Sequence, residues 1–297
     1  MARLVIGTNK TATTPALVKE VGIVPTGTIN ITTNGTTDVT QYASADVSVT
    51  PLLCMQFRNE NGLLQLPNTV IDLTGVNDIS SNCLNGLYKT ITTFNNCAVS
   101  FDSITALSYM SCMKEMFMQS KGITSFSMDN VVTLSGGFCM ENIFRDAQTL
   151  SSVSMNKLEV ISGTSALSYA FSGTPVTSFD FSSLRQISGT NGAYIMFYNC
   201  KSLTSGSFPS LSVLTGDSAL YFAFGGCTSL QSLSFPALKS DSFGNKTNQF
   251  NSMLYGVTGC TVHFPSNLQS VIGSWNDVVN GFGGTNTTVS FDLPATE

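Results

Sequence analysis

The sequence predicts a mainly β solenoid of about eight coils, with short helical or 3₁₀ turns, preceded by a small β-rich N-terminal segment. Three observations predict it. Residue columns recur every 26 or 27 positions. Each copy holds a short alternation of apolar and hydroxyl residues. The composition suits stacked strands with solvated faces: 10% of the 297 residues are charged, while Ser, Thr and Asn together number 97. Soluble domains average about 25% charged residues.

The repeat is visible in five aligned segments. They are Ile123-Thr-Ser-Phe126-Ser-Met128, Leu150-Ser-Ser-Val153-Ser-Met155, Val176-Thr-Ser-Phe179-Asp-Phe181, Leu203-Thr-Ser-Gly206-Ser-Phe208 and Leu230-Gln-Ser-Leu233-Ser-Phe235. Steps between the last residues of these segments are 27, 26, 27 and 27. A second column runs through Phe117, Phe144, Phe171, Phe197 and Phe224, and a third through Leu107, Leu134, Ile161, Ile187 and Leu214. Gly136, Gly163, Gly189 and Gly216 follow two places after the last four. Looser copies flank the array at Leu66-Pro67 to Gly75, at Phe101 to Leu107, and at Phe264-Pro265 to Gly273. Coils therefore begin near 66, 101, 128, 155, 181, 208, 235 and 264. A coil of this length cannot bury its apolar face alone, and stacking supplies the core.

Each part of a coil has a physical reading. L-x-x-L-x-F is the strand motif of leucine-rich repeats, and its alternation points two side chains inward. The glycine column is expected at a sharp corner. Pro67, Pro209, Pro236 and Pro265 are expected where a strand ends. The stretches Ser165–Phe171 and Ser218–Phe224 read as one helical or 3₁₀ turn each. Eight strands at about 4.8 Å imply a rod of roughly 40 Å. The cysteines at 112, 139, 200 and 227 ride on the repeat and read as small buried apolar residues rather than disulfides. Met110, Met113, Met116, Met118, Met128, Met140 and Met155 read as core filler.

Outside the repeat, Thr28–Val39 carries Asn34-Gly35, a strong hairpin signal, and Tyr42–Val49 reads as a further strand. Residues 274–297, with Trp275, the Gly281–Gly284 turn and a strand over Thr287–Leu293, are expected to cap the last coil. The organisation is thus 1–52 as a β-hairpin attachment segment, 53–273 as the solenoid, and 274–297 as the cap.

Composition and motifs turn the functional reading away from catalysis. A single histidine, His263, leaves no paired-histidine zinc site, and it lies at a strand end with no nucleophile elbow in the chain. No phosphate-cradling glycine motif, C-x-x-C pair or calcium loop appears. The net charge of −5 argues against a nucleic-acid binder, and no apolar run reaches the length of a membrane span. The initial Met1–Gly7 patch is too short for a secretory signal core. No cofactor or metal is expected.

Ala223 to Leu238, with its pattern Ala-Phe-x-x-Cys-x-Ser-Leu-x-Ser-x-Ser-Phe-Pro-x-Leu, resembles the BspA-like leucine-rich repeats, over about residues 60–273. The period here is longer than usual for that family, which is widespread in surface proteins of gut and oral bacteria and some protists. The resemblance implies adhesion and protein or glycan binding. Thr26–Val47 is similar to structural proteins of phages and prophages of gut bacteria, which implies a virion or tail-associated protein. Together they imply a non-enzymatic virion subunit, fibre-like or decorating. Its N-terminal segment would hold other virion proteins, and its solenoid would meet a host surface protein or glycan. A bacterial cell-surface adhesin is the alternative, and a hydrolase on a solenoid is a third reading. Homo-oligomerisation stays open.

The outward strand positions (Thr124, Ser125 and Ser127 and their equivalents up to Gln231, Ser232 and Ser234) read first as a solvated hydroxyl ladder. A polar platform for a glycan or a neighbouring subunit is the sharper reading. Ligand anchors are usually aromatic or arginine, and aromatics occur in the turns. Tyr169, Tyr198, Tyr221 and Tyr255, with Asn199 and Lys201, are the candidate contact residues.

Overall fold

The computed structural model describes residues 101–244 and 248–296 throughout, residues 77–79, 81, 84–86 and 89, and the backbone of the strands between residues 5 and 99. The protein is mainly β and forms a β-solenoid of about seven turns with few short helices. The first strands are β1 (Val5–Gly7), β2 (Leu17–Val21), β3 (Asn30–Thr33), β4 (Cys54–Asn59), β5 (Gly62–Leu63), β6 (Thr69–Asp72) and β7 (Ala98–Val99). β3 is the strand expected before Asn34-Gly35. Its antiparallel partner is β6, in the register Ile31↔Ile71. The Asn-Gly turn, the strand expected over Tyr42–Val49, and Leu66, Pro67, Leu73 and Gly75 of the coil expected near 66 lie outside the described residues.

From residue 101 to Leu214 each coil contributes a two-residue strand and a longer one, and beyond that only longer strands follow. In order these strands are β8 (Ala106–Leu107), β9 (Ser125–Ser127), β10 (Thr133–Leu134), β11 (Ser152–Ser154), β12 (Val160–Ile161), β13 (Ser178–Asp180), β14 (Gln186–Ile187), β15 (Ser205–Ser207), β16 (Val213–Leu214), β17 (Ser232–Ser234), β18 (Thr261–Pro265) and β19 (Thr288–Leu293). The two-residue strands β8, β10, β12, β14 and β16 form one parallel sheet. The longer strands form the other wall, β9, β11 and β13 in one parallel sheet and β15, β17, β18 and β19 in the next. Register is one full repeat: Ser125 faces Ser152, which faces Ser178. These walls are the Ser-x-Ser segments of the repeat, with Phe126, Val153 and Leu233 buried between flanking serines.

The third side of each coil differs from the expected helical turn. Ser111, Glu115 and Gln119 have φ between 54° and 58°, and the same four-residue rhythm recurs at Phe138, Asn142 and Asp146 and at Asn191, Ile195 and Asn199. A left-handed residue every fourth position turns the backbone so that alternate N–H groups point along and across the chain. Met116 and Met118 donate back to Met113 and Glu115. Met113, Glu115 and Phe117 donate instead to Cys139, Glu141 and Ile143 of the next coil, at 2.8 to 2.9 Å. The result is a ribbon of turns hydrogen-bonded both within and between coils. Left-handed φ is unfavourable for residues with a Cβ, and the inter-coil ladder offsets that cost, because buried backbone groups must find partners.

Phenylalanines stack through the core in two columns. Phe117, Phe144, Phe171, Phe197 and Phe224 are 4.8, 6.1, 5.3 and 5.6 Å apart in succession. Phe208, Phe235, Phe264 and Phe291 follow at 5.4, 5.5 and 5.9 Å. Full burial of such a ring stabilises by about 1.5–3 kcal/mol, and a stacked neighbour adds about 0.5–1.5 kcal/mol. Cys139, Cys200, Cys227 and Cys260 are buried free thiols. Burial pushes the Cys200 thiol up to about 11 and Cys260 up to about 12. Met113, Met116, Met128, Met140 and Met155 are buried in the core, whereas Met110 is 58% exposed.

The glycine column serves close stacking, not a left-handed corner. Gly136, Gly163, Gly189 and Gly216 lie one above another, and a Cβ on Gly163 would sit 2.8 Å from the carbonyl carbon of Gly136. α1 (Gln269–Ile272) follows β18 within the last coil, α2 (Asn276–Val279) lies beyond it, and β19 continues the wall as a further rung. Trp275 packs edge-on against Phe243 at 4.9 Å.

Candidate functional site

The turn ribbon carries an aromatic column on its outer side. Stacking in register brings Tyr169 against Tyr194 (ring centroids 5.6 Å) and Tyr194 against Tyr221 (5.1 Å, 8° between planes). Tyr221 meets Phe222 at 4.6 Å, Phe222 meets Tyr255 at 5.1 Å, and Tyr198 meets Phe222 at 6.4 Å. The guanidinium of Arg145 lies 5.1 Å from the Tyr169 ring centre and closes the other end. That contact is a cation–π interaction. Partial burial, then the adjoining Tyr169 and Tyr221, raises the Tyr194 phenol above its ordinary value.

Four of the candidate tyrosines therefore join one continuous set, through two residues that the sequence reading passed over. Tyr194 and Phe222 were legible in principle: Tyr194 stands 25 residues after Tyr169 and 27 before Tyr221, and Phe222 adjoins Tyr221. The rings of Tyr194 and Tyr221 turn their faces toward each other. Tyr255, at 55% exposure, is the most open ring.

Asn199 and Lys201 sit elsewhere, on an open depression of about 430 Å³ lined also by Gln148, Gly173, Thr174, Pro175 and Ser202. Asn199 has φ 59°, the left-handed position of its turn, which carries its side-chain oxygen over Gly226 of the next coil. The Lys201 side chain is exposed.

The strand wall shows the expected hydroxyl files. Ser125, Ser152 and Ser178 stand in one file, and Ser205, Ser232, Thr261 and Thr288 stand in a second, where β15 adjoins β13 across the break between the two sheets. Local bonds tie the rungs together. Ser234 Oγ donates to Ser207 Oγ at 2.8 Å. Asp129 accepts from Ser127 Oγ (2.7 Å), Ser154 Oγ (2.5 Å) and the Asn156 N–H (3.1 Å). Partial burial opposes ionisation of Asp129, but those three donors and the nearby Lys157 outweigh it and hold the carboxyl below the usual range.

His263 stands in the neighbouring file, its Nδ1 2.9 Å from both carboxylate oxygens of Asp292 on β19. The hydrogen bond from His263 is the main reason that Asp292 titrates below its ordinary value. Among the described residues no group of three His, Cys, Asp or Glu side chains could hold a metal ion. No described helix is long and apolar enough to cross a membrane. Comparison with protein families, with curated proteins and with solved structures finds no match to this chain.

Proposed function

We propose that the protein is a non-enzymatic display scaffold, a BspA-like leucine-rich-repeat solenoid on a phage structural subunit. It contacts a host surface protein or glycan through the turn ribbon and other virion proteins through its N-terminal segment. The aromatic column from Tyr169 to Tyr255 carries this reading. It gathers six aromatic side chains on one side of a solenoid whose strand wall is lined by hydroxyls. Aromatic and arginine side chains dominate binding energy at interfaces, and the column ends at Arg145. The similarity of Thr26–Val47 to phage structural proteins supports the virion setting.

Binding is tested on a glycan array and against host envelope extracts, with Tyr198→Ala, Tyr221→Ala and Tyr255→Ala beside the wild type. Loss of a wild-type signal in two of the three variants is expected. Unchanged signals in all three would remove the column as the contact site. Mass spectrometry of purified virions tests the setting: the chain is expected among the structural proteins. Its recovery from the bacterial surface and not from virions would favour the adhesin instead.

A further inference from the structure

The geometry points to the depression beside Lys201 as a binding site for an acidic sugar residue, a pyranose unit that carries one carboxylate. The inference names a ligand class within the host-glycan reading above and rests on it, but it places the contact at a second site, away from the aromatic column. The depression has a cause in the repeat. From the core phenylalanine of each turn ribbon to the first apolar residue of the next strand segment, the chain takes six steps at 117–123, 144–150, 197–203 and 224–230, but five at 171–176. One corner is therefore a residue short between full-length neighbours. Its residues also project little. Gly173 has no side chain, and Thr174 is buried, its hydroxyl donating to the Phe171 carbonyl at 2.6 Å. The corners of the coils on either side stand out beyond it and leave a recess of about 430 Å³, within the range of about 300–1,000 Å³ usual for small-molecule sites.

The lining selects the ligand. Gln148 stands on one side and Asn199, Lys201 and Ser202 on the other, all four exposed. None of their side chains has a hydrogen bond or ion pair with another described residue. On the strand wall, by contrast, serine hydroxyls bond to one another or to Asp129. Two amides and a hydroxyl both donate and accept, which suits the hydroxyls of a sugar ring. Half-buried Pro175 gives the floor an apolar surface for the ring's C–H face. Lys201 is the one cation of the lining, a point charge that matches one carboxylate. The Asp146 carboxylate reaches over Gly173 from the preceding coil, and Arg145 Nε, at 3.7 Å, offsets its charge. A chain of phosphates would ask for several cations, and the lining has a single one.

Titration followed by backbone amide chemical shifts tests this. The probes are trigalacturonic acid and N-acetylneuraminic acid, each beside its carboxyl-reduced, neutral form. The wild type is expected to bind at least one acid, with shifts centred on Lys201 and Ser202, and the acid that binds tells a uronic from a sialic source. The matching neutral sugar is expected to bind about two- to fivefold more weakly, the worth of one exposed ion pair. Lys201→Ala should weaken the acid by the same factor and leave the neutral sugar unchanged, and Lys201→Arg should retain the acid. Ser202→Trp fills the recess, keeps the ammonium, and should abolish binding of both forms. Positions 201 and 202 are exposed, so thermal midpoints should hold. A wild type that binds neither acid, or binds acid and neutral forms equally, would overturn the proposal. Acid binding lost in Tyr221→Ala and Tyr255→Ala but intact in Lys201→Ala would overturn it too, while leaving the aromatic column as the display site.

Discussion

Gly163→Ala tests the stacking of the coils at its tightest point. The added methyl would lie 2.8 Å from the Gly136 carbonyl carbon and 3.0 Å from the Ser135 carbonyl carbon, and closer still to the Gly136 oxygen. Carbon atoms in contact prefer about 3.5–4.0 Å, so relieving the carbon contact alone separates the two coils locally by roughly 0.7 Å, and the oxygen contact asks for more. The Ser162 and Gly163 N–H groups both donate to the Leu134 carbonyl at 3.0 Å, and such a shift carries both bonds past good geometry. Overpacking costs about 1–3 kcal/mol, and each weakened bond up to about 0.5–1.5 kcal/mol. Removing a glycine from the unfolded chain returns about 0.4–1 kcal/mol. The net expectation is a loss of about 2–4 kcal/mol, or a fall in thermal midpoint on the order of 5–15 °C. Gly137→Ala is the matched control, because a Cβ there meets nothing nearer than the Thr164 oxygen at 3.7 Å. Its expected change is within about 0.5 kcal/mol. Thermal and urea melts of the two variants decide the matter. Equal stability of Gly163→Ala and Gly137→Ala would refute the close-stacking argument.

Other outcomes follow from the same packing. Gly206 makes room for its neighbours, since a Cβ there would stand 2.8 Å from both the Phe179 ring and Leu233 Cδ2. Gly206→Ala is therefore expected to cost about 1–3 kcal/mol, with partial recovery when Phe179→Leu is added; a double-mutant cycle with no coupling would contradict this. Asp129 titrates below its ordinary 3.8, so its contribution to stability is complete above that value and is lost as pH falls through the lower folded-state value. Its partial exposure limits the size to under about 1 kcal/mol, and Asp129→Asn should flatten the pH dependence of stability below pH 4. Cys200, Cys227 and Cys260 should resist alkylation at pH 8 in the folded protein and react on unfolding. Peptide mapping that finds them labelled under native conditions would contradict their burial.

The parts of the fold that repeat with period were legible, and those that answer to the neighbouring coil were less so. The Ser-x-Ser segments appear as strands where the columns place them, because alternation along a strand is a property of the segment itself. The final strand expected over Thr287–Leu293 begins one residue later. The glycine column was visible, but its reason was not. Gly163 is required by the backbone 27 residues earlier, a distance that no local turn rule contains. The turn ribbon departed furthest from expectation. Ser165, Tyr169, Ile195 and Phe222 adopt left-handed φ, against the preference of each residue, because the next coil supplies a hydrogen-bond partner for each turned N–H. The aromatic column was half legible for a related cause: the sequence shows which turns carry rings, but lateral stacking decides that Tyr194 and Phe222 join Tyr169 and Tyr221.

Paired spin labels measure the stack directly. With one label at Ser125 and the second moved to Ser205, Ser232 and then Thr261, the labels are three, four and five strands apart, counting the step from β13 to β15 that joins the two sheets. At about 4.8 Å per parallel rung, the account predicts distances near 14, 19 and 24 Å, rising by one strand spacing per coil. Distances that do not rise by that step, or that scatter without order among the three pairs, would contradict a solenoid of in-register parallel coils.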